Sequence, residues 1–299
     1  MLSEVAIESL RDRMLLLRSL PAFAPLDDDA LILLAEHVRL RRLATGEVLL
    51  RLGEPIHHVY IVLEGSVRWQ REGRPEMTAG THEVVGWRTL VARDPGGMDA
   101  TVATPGIAIE LPAEALEHAL EHNFAIVRNL LRLGASNLVA TRGGLPAPPR
   151  RVPPVELGTY RPQGRTLVER LIEMRSIPLF SRTNIEALIA LLRGTRELRP
   201  RAGEVLFRVG DPSSFWFVVE YGRISCTNAA GERMDIGANF VIGMMDAIGQ
   251  QPRSYEARAE TQLVLQRIEL ESYLGVLELH SDLARDVLAN IARVGLDRN

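Results

Sequence analysis

A chain of 299 residues has room for two domains of ordinary size, each burying its own core. Hydrophobic residues make up 46% and charged residues 24%, a globular composition that argues against long disorder. With 35 basic against 38 acidic residues the net charge is −3, which gives no global drive toward nucleic acid or an anionic membrane. Every basic residue is Arg, so no lysine is available for Schiff-base chemistry or a Walker-type phosphate contact. The lone cysteine, Cys226, cannot form an internal disulfide, and no apolar run approaches 18 residues. A soluble, cytoplasmic protein without a membrane partner is expected.

The first 20 residues read as an amphipathic helix rather than a signal peptide. A second helix is predicted from Ala30 to His37, with Asp27 as its cap. Short apolar runs then follow at Val48–Leu52, Val59–Leu63 and Val67–Trp69, broken by Gly, Pro and polar residues, with a turn at Glu72-Gly73-Arg74. Such short runs with regular turn signals predict antiparallel strands. A long helical pattern from Pro112 to Ala140 closes this half. Residues 143–165 hold six prolines and four glycines and read as a linker. Its basic residues, Arg150, Arg151, Arg161 and Arg165, are expected as solvated charge.

Beyond the linker the same order returns. A helix capped by Thr183 or Asn184 precedes runs at Val205–Val209, Phe215–Val219 and Ile224–Cys226, a turn at Ala230-Gly231-Glu232, and a helical pattern from Leu270 to Leu296. The similarity is an internal repeat with a shift of 157: from Arg18 to Gly65 the copies align without a gap and agree at 19 of 48 positions. The chain therefore divides into a first domain at 1–142, a linker at 143–165 and a second domain at 166–299. The predicted fold class is α+β, mainly β: two antiparallel, jelly-roll-like β-rolls, each flanked by N- and C-terminal helices.

Gly46 to Val67 (GEVLLRLGEPIHHVYIVLEGSV) and Gly203 to Ile224 (GEVLFRVGDPSSFWFVVEYGRI) carry a Gly-Glu turn, a Gly-Glu/Asp-Pro turn, an aromatic-apolar strand and a Gly entering the next strand. Both resemble the opening of the cyclic-nucleotide-binding domains of catabolite activator proteins and kinase regulatory subunits. The resemblance implies a phosphate cassette in which a glycine leads into a short helix whose backbone N–H groups face a cyclic phosphate. It further implies a Glu after that glycine for the ribose and an Arg-Ser pair about ten residues later for the phosphate.

In the first copy Trp87 follows Gly86 where the Glu belongs, and Gly96 stands at the Arg position. An unpaired phosphate charge in a low-dielectric pocket costs several kcal/mol, so no conventional cyclic nucleotide is expected there. In the second copy Met244 follows Gly243, but Arg253 and Ser254 match the phosphate-binding pair. A cyclic nucleotide or related phosphate, weakly or differently bound, is one expectation for this copy; a pocket filled by side chains such as Met244 and Met245 is the other. Asp246 is a candidate replacement for the missing Glu, and Glu256 a candidate internal partner for Arg253.

His118 and His122 have metal-ligand spacing but lack a third ligand nearby, so a solvated helix face is preferred and no metal site is expected. No GxSxG, HExxH or GxxxxGK[ST] pattern occurs, and no enzyme activity is expected. No helix-turn-helix follows the second copy before Asn299, so DNA is not an expected partner. The expectation is a non-enzymatic regulatory or adaptor protein whose terminal helices engage a protein partner or a second copy. A ligand-free scaffold or the regulatory subunit of an enzyme are the alternatives.

Overall fold

The computed structural model describes residues 9–94, 96–141, 144–146, 157–160, 165–177, 180–181 and 183–296. They form two compact units, Met1–Leu130 with Leu288–Asn299, and Leu131–Val287.

In chain order the first copy contributes α1 (Leu10–Ser19), α2 (Asp28–Ala35), β1 (Arg39–Leu43), β2 (Val48–Leu52), β3 (His58–Gln70), β4 (Met77–Ala79), β5 (Val84–Val85), α3 (Trp87–Ala92), β6 (Gly97–Pro112), α4 (Ala113–His122) and α5 (Phe124–Thr141). Asp27 caps α2 by accepting from the Ala30 N–H at 2.8 Å, as its place before an apolar helix predicts. The strands form one antiparallel sheet in the order β1-β6-β3-β4, with β2 on β6 and β5 on β3. Their inward residues, among them Tyr60, Val62, Val67, Val85, Met98 and Val102, make the core.

The runs Val59–Leu63 and Val67–Trp69 belong to one strand, β3, which continues through Gly65. Register shifts between Val62 and Val67 bend it without ending it. The terminal helical pattern is instead broken in two. Asn123 leaves the helical region at φ −138°, and its Oδ1 accepts the Ala125 N–H at 2.9 Å, restarting the chain as α5.

The second copy contributes α6 (Leu167–Ser176), α7 (Ile185–Arg193), β7 (Thr195–Leu198), β8 (Val205–Phe207), β9 (Phe215–Tyr221), β10 (Ile224–Asn228), β11 (Arg233–Ile236), β12 (Phe240–Ile242), α8 (Met244–Gly249), β13 (Tyr255–Ala259), β14 (Val264–Glu269), α9 (Leu270–Leu279) and α10 (Ser281–Leu296). Asn184, not Thr183, caps α7. Two antiparallel four-stranded sheets, β11-β10-β13-β8 and β12-β9-β14-β7, enclose Phe207, Phe217, Cys226, Ile242, Tyr255 and Leu265. The predicted antiparallel rolls with flanking helices are thus the observed architecture.

Arg150, Arg151 and Arg161 lie outside the described residues. Arg165 is not the solvated charge its proline-rich setting suggests. Its side chain is 4% exposed and paired with Glu173 and with Glu220, itself 5% exposed. Nearby, Leu157 O accepts the Gly222 N–H at 2.7 Å, and the Tyr160 ring lies 5.1 Å from that of Tyr221. The end of this segment packs on β9 because Glu220 points a buried carboxylate at it, which composition alone does not reveal.

Candidate ligand site: the turn and short helix of each roll

Each roll places a glycine in left-handed conformation at the start of a short helix: Gly86 (φ 93°) before α3 and Gly243 (φ 75°) before α8. Only glycine adopts this geometry without strain, and it turns the chain sharply from strand into helix. The backbone of the two copies agrees further on. Gly53 N–H donates to Gly96 O at 3.0 Å, and its counterpart Gly210 N–H donates to Arg253 O at 2.9 Å. The scaffold is shared; the side chains on it are not.

In the second roll Arg253 is 1% exposed. Its Nη1 donates to Gly243 O at 2.8 Å and its Nη2 to Phe215 O. The guanidinium centre lies 4.3 Å from the Phe207 ring centroid and 4.7 Å from that of Phe215, within cation–π range of both. A Cβ at Gly243 would collide with Nη1, so the glycine provides the space the guanidinium occupies. Glu256 is not the partner of Arg253; it pairs with Arg258.

Around this arginine lies a polar network. Tyr255 Oη accepts the Gly243 N–H at 2.6 Å. Ser254 Oγ lies 2.6 Å from Asp246 Oδ1 and 2.7 Å from Gly144 O. A hydroxyl has one proton to donate. If Ser254 gives it to the Gly144 carbonyl, the Asp246 carboxyl must be the acid and donate in turn. Burial favours that acid form: it pushes Asp246 above the ordinary carboxylate range, against the opposing pull of Ser254 and the Arg253 charge. Burial likewise pushes the Tyr255 phenol up and draws the Arg253 guanidinium down. Of the methionines, Met244 is buried and Met245 half-buried.

Applying the 157-residue shift, the first roll replaces this network throughout. Phe207, Asp246, Arg253, Ser254 and Tyr255 correspond to Leu50, Thr89, Gly96, Gly97 and Met98. Trp87 is buried, under the Arg88 guanidinium, and Thr89 Oγ1 donates to Met98 Sδ at 3.5 Å. A Cβ on Gly97 would come 3.1 Å from Gly53 N. The charged members of the second network are gone, and the close backbone approach at Gly97 resists restoring the serine. Arg88 faces the Trp87 ring, and burial lowers its affinity for a proton.

The His118 and His122 rings lie tilted with their centroids 4.1 Å apart, with His122 Nδ1 against the His118 carbonyl. Among the described residues no group of three or more His, Cys, Asp or Glu is placed to hold a metal ion, and no helix is long and apolar enough to cross a membrane.

Residues 40–123 and 197–280 match the cyclic nucleotide-binding domain, and together the two matches span more than half the sequence. The chain belongs to the cyclic nucleotide-binding domain family, in tandem form. It is similar to glutaminase 2 of Bradyrhizobium diazoefficiens, at 24% identity over 136 residues, 45% of this chain and 22% of that protein. It is also similar to a cyclic nucleotide-gated potassium channel of Mesorhizobium japonicum, at 30% identity over 90 residues, 30% of this chain and 25% of the channel. The chain spans about a third or less of the length of the curated relatives it matches. Among solved structures, it is similar to the regulatory domain of Toxoplasma gondii PKA with cAMP (14% identity, 95% and 97% of the two chains, TM-score 0.37). A second is the N-terminal domain of a transcriptional regulator from Streptomyces coelicolor (24% identity, 42% and 94%, TM-score 0.39).

Proposed function

We propose that this chain is a non-enzymatic regulatory or adaptor protein in which neither roll binds a cyclic nucleotide in the manner its sequence motif implies. One observation carries the reading: Arg253, the sole match to the phosphate-binding arginine, spends both terminal nitrogens on backbone carbonyls while 1% exposed. To reach a phosphate it must give up two charge-assisted bonds, each worth about 1.5–3 kcal/mol, and leave two aromatic faces. The phosphate ion pair must first offset that loss, so only weak binding is left. In the first roll Gly96 offers no charge at all. The likeness to cyclic nucleotide-gated potassium channels supports a regulatory role. We assign partner contact to the terminal helices, where Leu279 at the end of α9 is 81% exposed, and place the protein in the cytoplasm.

Isothermal titration with cyclic AMP and cyclic GMP tests this. Expected is no saturable heat below about 1 mM, equivalent to less than about 4 kcal/mol of binding free energy. Micromolar binding that Arg253→Met abolishes would overturn it.

A further inference from the structure

We propose that the mouth of the second roll is a peptide site, occupied in cis by the chain's own Gly144-Leu145-Pro146 segment. This deepens the reading above and rests on it, since a site whose arginine is withdrawn is open to a neutral occupant.

Four observations support the assignment. Gly144 O accepts from Ser254 Oγ at 2.7 Å, so the serine of the phosphate-binding pair is engaged by a peptide carbonyl. The Gly144 backbone approaches so closely that a Cβ would lie 2.8 Å from both Ser254 Cβ and Ser254 O, and its φ is +86°. Leu145 packs its side chain against the apolar lining that holds Phe207, Phe217 and Tyr255. Eight residues earlier, within α5, the chain is anchored again: Ser136 Oγ donates to Gly249 O at 3.0 Å, at the far end of α8.

Glycine, a branched aliphatic and proline each have a reason at these positions. Glycine permits the close approach and the positive φ. Leucine packs on the edge of the buried apolar cluster. Proline fixes its own φ and has no N–H to leave unpaired. The occupant recognised is therefore a neutral peptide of Gly-aliphatic-Pro type with its glycine in a left-handed turn, bound by one hydrogen bond and one apolar side chain. Such contacts are weak between separate molecules, but a tethered segment has an effective concentration of about millimolar or more, which keeps the site filled. A partner presenting a similar segment would compete for it.

The test uses the full-length chain and a fluorescein-labelled peptide of residues 141–149 (TRGGLPAPP). Wild type is expected to show no binding, because the tethered segment holds the site. Leu145→Asp should expel that segment, raise amide exchange at residues 250–256 at least tenfold, and bind the added peptide at least tenfold more tightly than wild type does. Gly144→Ala, a smaller change, should act in the same direction and keeps the test available if Leu145→Asp does not fold. Adding Ser254→Ala to either variant should weaken the peptide about two- to tenfold, as loss of one hydrogen bond implies. Unchanged exchange at 250–256, or no gain in peptide binding in the folded variants, would overturn the proposal. A cyclic AMP titration run in parallel separates the failures: Arg253-dependent nucleotide binding by wild type sinks the functional reading, whereas absent peptide binding without nucleotide binding sinks only this inference.

Discussion

At the scale of single residues, Arg253 decides what the second roll can do. An arginine waiting for a phosphate could be truncated at little cost to folding. Arg253 instead satisfies the carbonyls of Gly243 and Phe215 inside the protein. Arg253→Ala removes both bonds, each worth about 1.5–3 kcal/mol for a charged donor, leaves Gly243 O only the Ala247 N–H, and opens a space between two phenylalanine rings. Urea denaturation should show a loss of about 3 kcal/mol or more, and a loss under about 0.5 kcal/mol would show that the contacts contribute nothing. Asp246 makes a second, pH-linked prediction. Burial raises its pKa on folding, so the folded state holds the proton more tightly than the unfolded chain. Its contribution is complete below the unfolded-state value near 4 and is lost as pH rises through the folded value. Asp246→Asn keeps the shape, carries no charge, and can still donate to Ser254. The variant should gain stability over wild type as pH rises from 4 to 8, and a constant difference over that range would exclude the assignment. The arginine at 253 and its role as a motif match could be read from sequence; its retreat onto two carbonyls could not, because nothing local to residue 253 names Phe215 as a neighbour.

At the scale of elements, the glycine-led turns, the antiparallel strands and the Asp27 cap follow from local chemistry, and each was legible. Where one strand ends was not. Separate apolar runs became the single strand β3 because bulges bend its ladder without breaking it, and β6 supplies the pairing along its length. The segment before α6 misled for a related reason. At its described residues, 144–146, 157–160 and 165, there is neither helix nor strand, as proline and glycine argue, but irregular backbone can still be packed. Arg165 and Glu220 form a buried pair, and removing one partner strands the other charge in the interior. Arg165→Ala should therefore cost about 3–5 kcal/mol by urea melt, while replacing both residues with Met should recover most of the loss. Equal losses in the single and double variants would mean that the pair acts through shape rather than charge.

At the scale of the whole molecule, the first unit takes in residues 288–299 from the end of the chain. Ala292 and Leu296 pack with Ala92 and Val91, Arg293 Nη2 donates to Ala92 O at 3.2 Å, and Arg71 Nη1 donates to Leu296 O at 2.9 Å. Deleting residues 288–299 should thus raise amide exchange throughout α3, some two hundred positions away in sequence, by about tenfold or more, as loss of a small apolar cluster and two hydrogen bonds implies. Unaltered exchange in α3 would show that the last turns contribute nothing to it. By itself the amino-acid order determined the duplication, the roll in each copy, the turn glycines and the loss of the first copy's charged anchors, because these rest on identity, periodicity and local backbone preference. Tertiary structure alone decided that Arg253 is self-satisfied, that Ser254 meets the Gly144 carbonyl and that Arg165 is buried. Each of those depends on a partner between 10 and 110 residues distant, and such pairings are selected by packing, which local pattern does not encode.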